Sequence, residues 1–159
     1  MSLITSDKRR IIIGLGHTGQ SIARFFARRG LPFAACDTRE SGPAIDAFKR
    51  QYPDAELQTG PLNSEWLSQA DELVISPGVA KDQPEIQAAI ATGAKLIGDI
   101  DLFAREVTAP IIAITGSNGK STVTTLVWQM AVDAGCRVEI GGNIGIPVLD
   151  LLAKPAADL

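Results

Sequence analysis

Short runs of β-branched and aliphatic residues alternate with segments of helical periodicity along almost the whole chain. This alternation points to one fold class, α/β, in which a parallel sheet is covered by helices. Predicted strands fall at residues 10–14, 32–36, 56–59, 72–75 and 95–97. Helices are predicted over about 18–29 and 43–51, in a short turn capped by Asn63 or Ser64 and running to Gln69, and in a segment opened by Pro84 with Ile86, Ala89 and Ile90 on one face. Asp99 and Asp101 open a further helix through Glu106, where acids near the positive end of the helix read as caps. At Pro110 the pattern restarts with a predicted strand at 111–115, a helix over 120–134 and a strand at 137–140. Val123, Leu126, Val127, Met130 and Ala134 form the expected core stripe of that helix. One such unit and a short helix do not complete a sheet of normal size. Two domains are therefore expected, with a boundary near Gly98: residues 1–98, and an incomplete second domain over 99–159.

Composition excludes several functions. The 159 residues carry 15 Lys and Arg against 18 Asp and Glu, a net charge of −3, so no global positive field gathers nucleic acid or anionic membrane. The longest stretch free of charged side chains, 107–119, is 13 residues and is broken by Pro110 and Gly116, whereas a membrane span needs about 20 apolar residues. The apolar run at 11–13 is too short for a signal-peptide core. Cys36 and Cys136 stand apart in apolar stretches without a metal-spacing partner, and both read as reduced core residues of a cytoplasmic protein. A monomer is expected.

Two glycine-rich turns carry the chemistry. Gly14-Leu15-Gly16-His17-Thr18-Gly19 is a complete GxGxxG between a predicted strand and a predicted helix. Such a turn lets backbone approach a ligand closely and presents free helix N–H groups to an anion. Asp37 ends the second predicted strand, where a carboxylate can accept from a ribose hydroxyl or a base N–H. Read from the residues alone, this is a dinucleotide site of the NAD type, belonging to a binding module or a piece of a dehydrogenase. His17, the single histidine, reads as a loop residue lining the site rather than a base. Ser76-Pro77-Gly78 ends another strand on the same sheet edge, where a plain turn and a ligand contact are equally good readings.

The second turn, Gly116-Ser117-Asn118-Gly119-Lys120-Ser121-Thr122, lies between a predicted strand and a long helix. It is a shortened variant of the phosphate-binding loop, with Ile114 where the full pattern has its first glycine. Backbone amides of Gly116, Ser117, Asn118 and Gly119 can wrap a phosphate, Lys120 can neutralise its oxygens, and the hydroxyl of Ser121 or Thr122 can reach Mg2+. A lysine at the positive end of a helix dipole itself calls for an anion.

The stretch TGSNGKSTVTTL at 115–126 resembles the signature of the Mur ligase family. GLGHTG at 14–19, DTR at 37–39, SPG at 76–78, GDIDLF at 98–103 and GGNIG at 141–145 extend the resemblance over almost the whole chain. It implies a Rossmann-like first domain that holds the UDP part of UDP-N-acetylmuramoyl-L-alanine rather than NAD, followed by the start of a P-loop ATPase domain. On this reading His17, Thr18 and Gly19 contribute to the uridine diphosphate site, Asp37, Thr38 and Arg39 contact uracil or ribose, and Ser76 and Gly78 contact the nucleotide or its phosphates. Residues 116–122 take the phosphates of ATP with Lys120 as the catalytic cation, Ser121 or Thr122 lies near Mg2+, and Asn143 lies where the two sites meet. His17 departs from the leucine common in this turn. The implied activity belongs to peptidoglycan precursor synthesis: ATP converts the substrate carboxylate to an acyl phosphate, and the amine of D-glutamate displaces phosphate. The remainder of such an enzyme is expected beyond Leu159, which makes this chain an N-terminal fragment expected to be inactive alone.

Overall fold

A computed structural model describes residues 8–154. Five strands, β1 (Arg10–Ile13), β2 (Ala34–Asp37), β3 (Leu57–Thr59), β4 (Glu72–Ile75) and β5 (Lys95–Ile97), form one parallel sheet in the order β3-β2-β1-β4-β5. Helices α1 (His17–Arg28), α2 (Pro43–Gln51), α3 (Ser64–Leu67) and α4 (Pro84–Ala91) are the crossovers, and α5 (Asp99–Glu106) follows β5. The chain leaves β1 toward β2 and β3, then returns to the other side of β1 as β4. That reversal opens a crevice at the carboxyl ends of β1 and β4, the place where open α/β sheets bind ligands.

The period of two along β1 supplies both layers. Ile12, paired with Ala35 and Val74, faces a core built with Ile22, Phe25 and Phe26 of α1 and Ile45 and Phe48 of α2. Ile11 and Ile13 face the opposite core, with Leu73, Ile75, Trp66, Leu67, Ile86 and Ala89. Of the two caps expected for α3, Asn63 and Ser64, it is Asn63 that forms, its side-chain oxygen accepting from the Trp66 N–H at 3.0 Å. At the amino edge of the sheet, Arg10 and Glu72 face each other across the β1–β4 pair with Nε and Oε2 3.4 Å apart, and Lys8 and Arg105 each reach Glu72 Oε1 at 3.2 Å. Burial opposes the charge on Glu72, yet these cations hold its carboxyl below the usual range. Cys36 is buried and free, and burial pushes its thiol up to about 12; Cys136 is free but only half-buried. No helix among the described residues is long and apolar enough to cross a membrane.

After α5 the expectations fail in an informative way. Residues 111–115 and 137–140 form no strand; the only pairing nearby among the described residues is an isolated bridge between Gly141 and Ile146. The expected core stripe of α6 (Lys120–Asp133) is not a core: the helix buries no residue, and Val123, Leu126 and Met130 are 47%, 58% and 69% exposed. Strands exist only through pairing, and neither run has a neighbouring strand among the described residues, so α6 has no sheet to pack on. An apolar cavity of about 580 Å³, lined by Phe103, Ile112, Val127, Trp128 and Val138 among others, occupies that space. The segments flanking α6 behave differently. Leu102 of α5, and Val148 and Leu149 of α7 (Val148–Leu151), are buried in the core formed by Ile12, Ile22 and Phe26.

Gly19 shows how tightly the first turn is built. A Cβ there would lie 1.9 Å from the Gly14 carbonyl oxygen, a backbone atom that cannot step aside, whereas a Cβ at Gly16 would meet nothing within 4 Å. Gly19→Ala should therefore lower stability by about 3 kcal/mol or more through overpacking. Gly16→Ala should cost under about 1 kcal/mol, the loss of a weak cap. Denaturant unfolding of the two variants checks the contrast, and equal losses would contradict it.

Candidate functional site

The crevice at the reversal point is a cavity of about 590 Å³. Its walls come from three strand ends: Gly14, Gly16, His17 and Thr18 after β1, Asp37, Thr38 and Arg39 at the end of β2, and Ser76, Pro77, Gly78 and Val79 after β4. Asp99 and Ile100 at the start of α5, and Gly142 and Asn143, complete it. Of the substrate-binding residues expected from the sequence, His17, Thr18, Asp37, Thr38, Arg39, Ser76, Gly78 and Asn143 all line this one cavity. Gly19 does not; it lies buried beneath the turn against Gly14, where it allows the close approach of α1.

The turn is stitched to both neighbouring strands. Gly14 N–H donates to the Cys36 carbonyl at 2.8 Å, and Ser76 Oγ donates to the Gly14 carbonyl at 2.8 Å. Asp37 is the centre of the stitching: its Oδ2 accepts from the Leu15 N–H at 2.8 Å and from Arg39 Nη2 at 2.6 Å, while Oδ1 accepts from Arg39 N–H and Nε at 3.0 and 2.8 Å. The carboxylate is 4% exposed, so it is saturated before any ligand arrives. The Arg39 guanidinium and these backbone bonds overcome burial and hold its carboxyl down at about 2. A dinucleotide reading needs this carboxylate open to a ribose hydroxyl, and its internal bonds oppose that. Arg39 and Thr38, both exposed at the cavity wall, are the groups left facing a ligand.

The positive end of α1 meets the same cavity. Gly16 caps it without a side-chain bond and no acid sits in its first turn, so the orphan N–H groups of the helix start remain for an anion. Asp99 and Asp101 open α5 as expected, but Asp99 also faces the cavity, which its place at a helix start does not announce. Asp101 does cap α5, accepting from the Gly98 N–H at 2.7 Å, but Asp99 lines the cavity half-buried, and burial raises its pKa. The available signal was its place just past β5, on the same carboxyl edge as Gly14 and Ser76.

The second turn lies apart from this cavity. Gly116 and Gly119 adopt positive φ, at +146° and +76°, and the loop is exposed. Lys120 Nζ folds back onto the carbonyls of Gly116 and Ser117, which offset the positive end of its own helix. Ser121 and Thr122 are exposed on the first turn of α6. Open amides, an ammonium and two hydroxyls at one helix start fit the phosphates of a nucleotide and one side of a magnesium ion. Among the described residues, no group of three or more His, Cys, Asp and Glu side chains could hold a metal.

Residues 8–98 match the family described as Mur ligase MurD-like, N-terminal domain. The chain is 57% identical over 153 residues to the UDP-N-acetylmuramoylalanine--D-glutamate ligase of Pseudomonas aeruginosa, covering 96% of this chain and 34% of that protein. It is 52% identical over 149 residues to the ligase of the same name from Nitrosococcus oceani, covering 94% of this chain and 33% of that one. The chain thus spans about a third of the length of these curated relatives. Among solved structures, a pseudomurein peptide ligase type C from Methanothermus fervidus superposes with a TM-score of 0.53 at 26% identity, over 87% of this chain and 29% of its own. A murein peptide ligase from Psychrobacter arcticus shares the fold, with a TM-score of 0.54 at 20% identity over 80% of this chain and 27% of its own.

The depressed pKa of Asp37 makes a pH prediction. Because its folded value of about 2 lies below the ordinary 3.8, its bonds stabilise the fold above pH about 4, and this contribution fades as pH falls toward about 2. The amount is about 2 kcal/mol at neutral pH. Asp37→Asn should lower stability at pH 7 and flatten the fall of stability between pH about 4 and 2. Unfolding titrations across that range check it, and parallel curves for the two proteins would contradict it.

Proposed function

Because this chain belongs to the Mur ligase family through its MurD-like N-terminal domain, we propose that it binds UDP-N-acetylmuramoyl-L-alanine and serves an ATP-dependent ligase that joins D-glutamate to that substrate. The observation that carries this reading is the single cavity at the strand reversal, which gathers residues from three strand ends and from the Gly142–Asn143 turn. Its chemistry suits a nucleoside diphosphate joined to a sugar. The start of α1, which has no side-chain cap, takes the diphosphate with the N–H groups of His17 and Thr18; Thr38 and Arg39 take uracil or ribose; Ser76 and Gly78 line the nucleotide's path. Asp37 acts through Arg39 and the Leu15 amide, holding both in place. Asn143 meets the sugar end.

The division of labour we assign is residues 1–98 for the UDP-linked substrate and 99–159 for the beginning of the ATP-binding domain. ATP supplies the phosphoryl group that turns the substrate carboxylate into a leaving group. The work of this chain in that step is to hold and neutralise: amides of residues 116–119 around the phosphates, Lys120 released from the Gly116 and Ser117 carbonyls onto phosphate oxygens, and Ser121 or Thr122 toward Mg2+.

Calorimetric titration with UDP-N-acetylmuramoyl-L-alanine should show binding, and titration with NADH none; the reverse result would overturn the assignment. Asp37→Ala should weaken substrate binding by about 1 to 3 kcal/mol, since the loop it holds loses charge-assisted bonds. Within a whole ligase, Lys120→Ala should lower turnover 100-fold or more, roughly the value of one preorganised contact to the transferring group. Substrate affinity should stay nearly unchanged, because Lys120 lies outside the first cavity. Near-normal phosphate release by that variant would remove Lys120 from the reaction.

A further inference from the structure

Helix α7 is far in sequence from the sheet yet packs into the core on one of its faces, against α1 and α5. It follows the turn that carries Gly142 and Asn143 to the cavity, a turn closed by the Gly142 N–H donating to the Ile146 carbonyl at 3.1 Å. Val148 and Leu149 are buried in the first core. Asp150, on the next position, is gripped by α1: Arg24 Nε reaches its Oδ1 at 3.1 Å and Nη2 its Oδ2 at 2.6 Å. Arg28, one turn further along α1, sets Nη1 3.8 Å from Oδ1 and donates through Nη2 to the Leu149 carbonyl at 2.9 Å.

Burial of Val148 and Leu149 is non-directional and would tolerate rotation of a four-residue helix. A two-point guanidinium–carboxylate pair fixes orientation as well as distance. The same α1 that holds Asp150 through Arg24 and Arg28 presents His17 and Thr18 to the cavity at its other end. The two arginines and the cavity wall are therefore parts of one rigid rod. We propose that Asp150 is a positioning residue: clamped by Arg24 and Arg28, it sets the Gly142–Asn143 turn against the His17–Thr18 wall and so shapes the cavity for its substrate. This rests on the reading of the cavity as the UDP-substrate site. The clamp also ties the segment after the phosphate loop to the first domain, joining the two halves of the chain at a place other than their covalent junction.

The test uses the 159-residue chain and its Asp150→Ala and Asp150→Glu variants, with hydrogen exchange of the 141–146 segment, calorimetry with UDP-N-acetylmuramoyl-L-alanine, and thermal unfolding. In Asp150→Ala, exchange at the Gly142 amide should quicken at least tenfold while β1 and β4 keep their protection, and substrate affinity should fall about tenfold. Asp150→Glu, which still reaches both guanidiniums, should restore most of both. Unchanged exchange at 141–146, or equal quickening there and in β1 and β4, would overturn the proposal, the second by showing general destabilisation. Quickened local exchange with unaltered affinity would equally overturn the role in shaping the cavity. Should the parent chain bind no UDP-linked substrate, the substrate reading fails, and with it the cavity-shaping role; the exchange arm then reports on the clamp alone.

Discussion

Strand β1 is the constraint on which the rest depends. It is paired on both sides, to β2 and to β4, and buried on both faces, with Ile11, Ile12 and Ile13 at most 1% exposed. A strand held in four directions has one register, because a slip by one residue would exchange its two faces. The position of Gly14 at its end is therefore set to within a fraction of a residue. The turn that follows can then be stitched at Cys36, Asp37 and Ser76, all of which depend on the same two strand pairings.

Charge at the two glycine turns is handled differently. In the first, the acid is satisfied internally by Arg39 and the Leu15 amide, which leaves a rigid loop whose free groups are donors. A preformed wall of donors is what an anionic ligand needs, since little ordering remains to be done on binding. In the second, Lys120 is held by carbonyls of its own loop, contacts that a phosphate can replace with stronger ones. The first site is built into a packed core and the second stands on an exposed helix, so the two are set by different kinds of force.

The first domain was legible because its signals are local and mutually consistent. The β-branched runs, Pro84, Asn63 and the glycine turns each act over a few residues and agree with one another. Asp99 opens α5 as its sequence implies, but its place on the cavity wall was not legible, because an acid at a helix start has a sufficient local explanation and only the sheet edge shows the second role. The role of Asp37 was legible in place but not in kind: its position at a strand end is a matter of sequence, whereas its saturation by Arg39 and Leu15 is a matter of geometry.

By itself the sequence determined the fold class, the five strands of the sheet, and the residues that end on its carboxyl edge, because periodicity and turn chemistry are properties of neighbouring residues. It also determined the start of α6 at Lys120, since a helix can form from its own hydrogen bonds. Tertiary structure alone decided what the remaining apolar runs become. Residues 111–115 have every local property of a strand, yet a strand needs a partner, and the stripe of α6 needs a surface. Among the described residues neither is met, whereas α7 found both a core for Val148 and Leu149 and the ion pair of Asp150 with Arg24, because burial and pairing depend on what lies across space rather than along the chain.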